Sequence, residues 1–190
     1  TKVLFAEGYI PTNDLTYDTK LADEAVLAAA KADAVIFVGG WIHNFDQSVW
    51  SGTAFDMEGK DKTSLKLIYG QEELINRIAK ANPRTTVVLM GGSNVEMKNW
   101  MKNVPAILQA WYPGMEGGNA LAKIIFGETN PSGKLPMTFA NTHKEYPSHA
   151  VGEFPGKDLR VSYAEGIYVG YRYFDKQNLE PVYPFGYGLS

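Results

Sequence analysis

Two short apolar runs, each ending in a glycine pair, constrain this chain more than any other feature. Ala34-Val35-Ile36-Phe37-Val38 runs into Gly39-Gly40, and Thr86-Val87-Val88-Leu89-Met90 runs into Gly91-Gly92. Runs of this length, rich in β-branched residues and apolar throughout, are the pattern of strands buried in a parallel sheet. Helical periodicity lies around them. Ala22, Ala25, Val26, Ala29 and Ala30 share one face of a segment that Asp18 or Thr19 can cap and that ends near Ala32. Leu74, Ile75, Ile78 and Ala79 share a face after Gln71-Glu72-Glu73, and Asn82-Pro83 stops that helix. Residues 105–111 read as a third strand, with proline tolerated at its first position. Pro113-Gly114 then turns the chain into a helix from Met115 to about Phe126.

Strand and helix alternate three times. Parallel neighbours need crossovers, and helical crossovers land on the faces of the sheet. The order therefore predicts an α/β fold: a three-layer α/β/α sandwich around a mainly parallel, flavodoxin-like sheet. Residues 3–6 read as a short edge strand, and Ser93-Asn94-Val95-Glu96 has the capping-box form that starts a short helix. After Gly127 the periodicity fades. Residues 135–139, 166–174 and 182–185 read as extended pieces of an irregular C-terminal wrap. There is no internal repeat and no linker, so residues 1–190 read as one domain.

Composition removes several functions. The net charge is −3 with no basic cluster, which gives nucleic acid and anionic membranes nothing to hold. The absence of cysteine excludes disulfides, thiolate catalysis and cysteine-based metal sites. No signal peptide or membrane-spanning run is visible. Gly91-Gly92-Ser93 lacks both G-x-G-x-x-G and the P-loop lysine, and no serine sits in a G-x-S-x-G setting. His143 and His149 lack the spacing of metal ligands on one helical turn. The helix dipole explains Glu116, at a helix start, without function, while Gly117-Gly118 beside it would allow close backbone approach at a strand's carboxyl end.

The chemistry concentrates between the first glycine pair and Gln71. That stretch holds Trp41, His43, Asp46, Trp50, Phe55, Asp56, Glu58 and Asp61. Loops of such length inside a compact domain are usually functional. This one leaves the carboxyl end of a strand, where open α/β sheets place their ligands. Carboxylates among aromatic rings suit carbohydrate chemistry. Glycoside hydrolysis needs two carboxyl groups flanking the scissile bond, one of them kept protonated by burial or a neighbouring charge. Glu58 has Asp56 and Asp61 nearby in sequence and Phe55 and Met57 to desolvate it; the same pattern also fits a merely solvated acid. Asp61, between Lys60 and Lys62, reads as a surface ion pair or as a residue that orients the loop. Trp41 and Trp50 either close a sugar subsite or anchor the loop. His43 either bonds a sugar hydroxyl or is satisfied within the loop.

Several stretches taken together resemble one family. They include Glu58-Gly59-Lys60-Asp61-Lys62-Thr63-Ser64-Leu65, Gln71-Glu72-Glu73-Leu74-Ile75, and Ala110-Trp111-Tyr112-Pro113-Gly114-Met115-Glu116-Gly117-Gly118-Asn119-Ala120-Leu121. Asp33-Ala34-Val35-Ile36-Phe37-Val38-Gly39, Ala81-Asn82-Pro83, Asn130-Pro131-Ser132-Gly133-Lys134-Leu135-Pro136, Glu165-Gly166-Ile167-Tyr168-Val169-Gly170-Tyr171-Arg172-Tyr173-Phe174 and Pro184-Phe185-Gly186-Tyr187-Gly188-Leu189-Ser190 complete the set. In this order they are similar to the C-terminal α/β sandwich domain of glycoside hydrolase family 3, of β-glucosidase and β-xylosidase type. The resemblance implies a retaining β-glycosidase acting on terminal β-D-glucosyl or xylosyl residues of a β-glycoside or oligosaccharide. It implies a partner domain in the same polypeptide, an N-terminal TIM-like barrel carrying an aspartate nucleophile, usually within Ser-Asp-Trp; that triplet is missing here. It further implies Glu58 as the general acid/base, with Asp46 and Asp56 as alternatives. Trp41, His43, Phe55 and Asp61 are the expected substrate contacts. No cofactor or metal is implied, and a periplasmic or secreted location is expected. Lys62 stands where arginine is common, Leu67-Ile68-Tyr69 replaces a more usual Leu-Pro, and residues 41–54 form an insert. On this reading the chain is a fragment, inactive without its barrel. Two other classes stay open, a non-catalytic carbohydrate-binding or domain-packing module and a free-standing flavodoxin-like binding protein.

Overall fold

In the computed structural model, residues 1–12, 16–41, 56, 62, 64–152 and 154–189 are described. They gather into two compact units, Thr1–Met115 and Glu116–Ser190. The first is built on a three-stranded sheet of β1 (Val35–Gly40), β2 (Thr85–Met90) and β3 (Ala106–Trp111), side by side in that order and all parallel. The pairing runs in step from Val35 opposite Thr85 to Gly40 opposite Met90. Between β2 and β3 it slips at Leu89/Met90, so that Met90 faces Trp111.

The central strand is the driest. Val87, Val88 and Leu89 are at most 1% exposed. β1 alternates instead, with Phe37 buried while Ile36 and Val38 are 41% and 50% exposed. Its apolar run, read from sequence as fully buried, is covered on one face in the first unit.

Helix α1 (Thr19–Ala30) starts where the Asp18 carboxylate accepts the N–H groups of Lys20 and Leu21, both at 3.0 Å. Its buried residues are Ala22, Ala25 and Ala29, small enough to let α2 (Gln71–Ala81) approach with Leu74, Ile75 and Ile78. Asn82 does more than stop α2. Its side-chain amide donates to the carbonyls of Ala29 (3.0 Å) and Ala32 (2.8 Å), and its oxygen accepts the Arg84 N–H at 2.9 Å. One side chain thus closes the carboxyl end of α1 and sets the entry into β2.

Gln71 plays the matching part at the end of β1. It is fully buried, accepts the Gly40 N–H at 2.8 Å and donates to the Gly40 carbonyl at 3.0 Å. The outer edge of β1 is completed here by a side chain instead of a strand. Gly40 must be glycine: φ is +127°, and a Cβ would sit 1.9 Å from the Met90 carbonyl oxygen.

Three sequence expectations are corrected. Residues 3–6 form no strand; Val3 and Phe5 are exposed, and the segment docks through Tyr9, whose ring stacks on Phe37 and Tyr69. Burial, then the Tyr69 charge, pushes the Tyr9 hydroxyl up to about 12. Residues 93–96 form no helix, because the Glu96 N–H is taken by the Leu65 carbonyl at 2.7 Å and the Ser93 hydroxyl by Asn94. In the second unit, part of the segment expected to be extended over 166–174 is helical, as α5 (Tyr171–Gln177). Aromatic density there favours a strand. The helix instead buries Tyr173 and Phe174, and Asn178 at φ +52° closes it. The second unit also holds α3 (Gly117–Ile125), as expected, the short α4 (Pro147–Ala150), and an antiparallel bridge between Phe139 and Tyr183.

Replacing Gln71 by leucine keeps most of its volume but strips both bonds from Gly40. The expected loss is about 1–3 kcal/mol for each orphaned backbone group, read as a lower urea midpoint at unchanged slope. A midpoint equal to that of the parent would show that Gly40 finds other partners.

Candidate functional site

The carboxyl ends of the three strands converge on one carboxylate. β2 ends in Gly91-Gly92, and the Gly91 N–H donates to the Trp111 carbonyl at 3.2 Å. Trp111 itself sits at φ +55°, an uncommon backbone state for a bulky residue. Beyond it the Tyr112 hydroxyl donates to Asp56 Oδ2. The Gly92 N–H donates to the same oxygen at 2.5 Å. The other oxygen, Oδ1, takes the Lys62 ammonium in an ion pair. Lys62 Nζ in turn stands 5.3 Å from the centre of the Trp41 ring, a cation–π contact. Trp41, the first residue after β1, is 4% exposed and donates its backbone N–H to the Met90 carbonyl at 2.8 Å.

Gly91 is needed for this approach, and Gly92 leaves room for it. A Cβ on Gly91 would meet the Trp41 ring at 2.5 Å, and one on Gly92 would meet Asp56 Oδ2 at 3.1 Å. The pair resembles a phosphate cradle in sequence, but its N–H is filled by a carboxylate of the same chain.

The electrostatics follow from the contacts. Burial pushes the Asp56 carboxyl up. The hydrogen bonds from Lys62, Tyr112 and Gly92, with the Lys62 charge, outweigh it and hold the group below the usual carboxylate range. Burial and then the bond to Asp56 push the Tyr112 hydroxyl well above its usual value, so it stays a donor. Among the described residues, Lys62, Tyr112 and the Gly92 N–H thus hold Asp56 as an anion. That is the opposite of what a general acid needs near neutral pH, so the alternative role for Asp56 as proton donor is disfavoured on physical grounds.

Of the residues singled out from sequence, Trp41 and Asp56 are brought together through Lys62. Trp41 presents a buried ring and backs the lysine, so it offers no open stacking face. His43, Asp46, Trp50, Phe55, Glu58 and Asp61 lie outside the described residues. Sequence reasoning misses Tyr112 and the pairing of Lys62 with Asp56. A signal for Tyr112 exists: it is a tyrosine directly after a strand, at the same end of the sheet from which the long loop departs.

A parallel α/β sheet with a long loop and an anchored carboxylate at its carboxyl edge defines the class: a domain that works where strands end. Residues 9–190 match the glycosyl hydrolase family 3 C-terminal domain, and the chain belongs to that family. It is 40% identical over 200 residues to beta-glucosidase BoGH3A of Bacteroides ovatus, covering 99% of this chain and 25% of that protein. It is 41% identical over 189 residues to thermostable beta-glucosidase B of Acetivibrio thermocellus, covering 99% and 23%. Among solved structures, a GH3 beta-glucosidase from Bifidobacterium adolescentis superposes with a TM-score of 0.84 at 38% identity, over 99% of this chain and 26% of that one. The beta-glucosidase of Kluyveromyces marxianus in complex with glucose gives 0.80 at 34% identity, over 91% and 19%. The chain spans about a quarter of the length of the curated relatives it matches.

The depressed Asp56 carboxyl carries a pH signature. Its contribution to stability is complete above the unfolded value of about 3.9 and is lost as pH falls through the lower folded value. The gap in unfolding free energy between parent and Asp56→Asn should therefore be full above about pH 4 and close below it. Urea titrations across that range check this; a gap independent of pH would mean that the charge of Asp56 is not what the fold uses.

Proposed function

We propose that this chain is the acid/base-bearing domain of a retaining β-glycosidase that removes terminal β-D-glucosyl or xylosyl residues from a β-glycoside or oligosaccharide. The observation that carries the reading is the family match over residues 9–190, joined to relatives that are named beta-glucosidases. Retaining hydrolysis uses a nucleophile and an acid/base about 5–5.5 Å apart. In this reading the nucleophile is an aspartate of a TIM-like barrel elsewhere in the same polypeptide. Glu58 protonates the leaving oxygen as that aspartate attacks the anomeric carbon, and then takes a proton from the incoming water.

His43, Phe55 and Asp61 line the leaving-group side, while Trp41 serves as the floor beneath Lys62. The chain alone, without the nucleophile, turns over nothing. An exported setting, periplasmic or secreted, belongs to the same reading. Exposed apolar side chains support a larger assembly: Ile36 and Val38 on β1 in the first unit, and Tyr163, Ile167 and Phe185 in the second.

The test is Glu58→Ala in the full-length polypeptide, assayed on two aryl β-glucosides, one with a good and one with a poor leaving group. Loss of the acid should cost about 10²–10⁴-fold on the poor leaving group. The good one should retain its first step and recover turnover with added azide, which needs no base. Equal small losses on both would take Glu58 out of this role and favour a packing or binding module.

A further inference from the structure

We infer that Asp56 is a positioning residue for the reaction, its carboxylate locking the segment that bears Glu58 onto the ends of β2 and β3; this rests on the acid/base reading of Glu58. Three observations point to it. Asp56 and Lys62 flank residues 57–61 in the chain and are bonded to each other. Glu58 lies two residues from Asp56 in the chain, a reach of at most about 7 Å. Fixing Asp56 therefore limits where the Glu58 backbone can go.

The ion pair is itself tied to the scaffold. Asp56 Oδ2 takes the Gly92 N–H from the end of β2 and the Tyr112 hydroxyl from just past β3. Lys62 lies over Trp41, which follows β1. The ends of β2 and β3 thus hold the carboxylate directly, and the end of β1 backs its lysine partner.

An ordinary surface ion pair does not look like this. The Asp56 and Lys62 side chains are only 9% and 16% exposed, and both carboxylate oxygens are used. A buried, charge-assisted, fully bonded group fixes geometry, where an exposed pair contributes little. A general acid needs such support, because it must reach the glycosidic oxygen within about 2.6–3.2 Å.

Tyr112→Phe removes one donor from a half-exposed ring and should leave folding intact; Asp56→Asn removes the charge. Both are placed in the full-length polypeptide, alone and combined with Glu58→Ala, and assayed on the same two aryl β-glucosides. Misplacing an acid by about 1 Å costs up to roughly 10²-fold. On the poor leaving group, about 10–100-fold is expected for Asp56→Asn and a smaller loss for Tyr112→Phe. Losses on the good leaving group should be much smaller, and neither change should reduce turnover further once Glu58 is alanine.

Equal losses on both substrates, no loss from either variant, or losses that multiply fully with Glu58→Ala would overturn the inference while leaving the acid/base reading standing. If Glu58→Ala itself shows no dependence on the leaving group, both fail together.

Discussion

Side chains, not strands, complete the backbone hydrogen bonding at the carboxyl edge of this sheet, and the site is organised around that substitution. Gln71 takes both polar groups of Gly40, while Asp56 takes the N–H of Gly92. In each case the peptide group belongs to a glycine: a side chain on Gly40 would strike the Met90 backbone, and one on Gly92 would crowd the incoming carboxylate. A sheet edge left with bare peptide groups would have to bury them unpaired or expose them to water. Here they are used to hold the start of a long loop and one point midway along it. The glycine pairs that mark the ends of β1 and β2 in the sequence are therefore attachment points as well as strand terminators.

Attachment of this kind separates the features legible in the amino-acid sequence from those that are not. The strands and helices α1, α2 and α3 carry their own signals: β-branched runs, alanine and leucine at helical spacing, Asp18 as cap and Asn82-Pro83 as stop. Where the deciding partner lies far away along the chain, local signals mislead. The Glu96 N–H goes to Leu65, which undoes a capping box written within four residues. Val3 to Ala6 has strand-like residues but joins no strand among the described residues, and Tyr9 docks the segment by its ring. Tyr171 to Phe174 looks like a strand by aromatic content and folds as part of a helix that buries Tyr173 and Phe174.

The same division holds for the site. That a loop rich in acids and aromatics leaves a strand's carboxyl end follows from chain order, since topology alone fixes which ends of parallel strands lie together. Which acid pairs with which base does not follow. Sequence neighbours pair Asp61 with Lys60 or Lys62, yet Lys62 reaches back six residues to Asp56, drawn by a carboxylate already held by Gly92 and Tyr112. An ion-pair partner is chosen by what else has been desolvated beside it, and that depends on the whole fold.

With Glu58 as the proposed acid, two carboxyl groups two residues apart do opposite work. Asp56 is held ionised: buried enough to lose water, but given more hydrogen-bond donors than burial takes away. A general acid needs the reverse, burial or a neighbouring anion without compensating donors, so that its proton stays on near neutral pH. A loop that supplied donors evenly to both would leave neither group suited to its part. Lys62, Tyr112 and the Gly92 N–H all donate to Asp56. Acidic residues so close in sequence diverge in role once one of them is claimed by the scaffold. The strand ends that anchor the loop thereby also decide which of its acids is the structural anion.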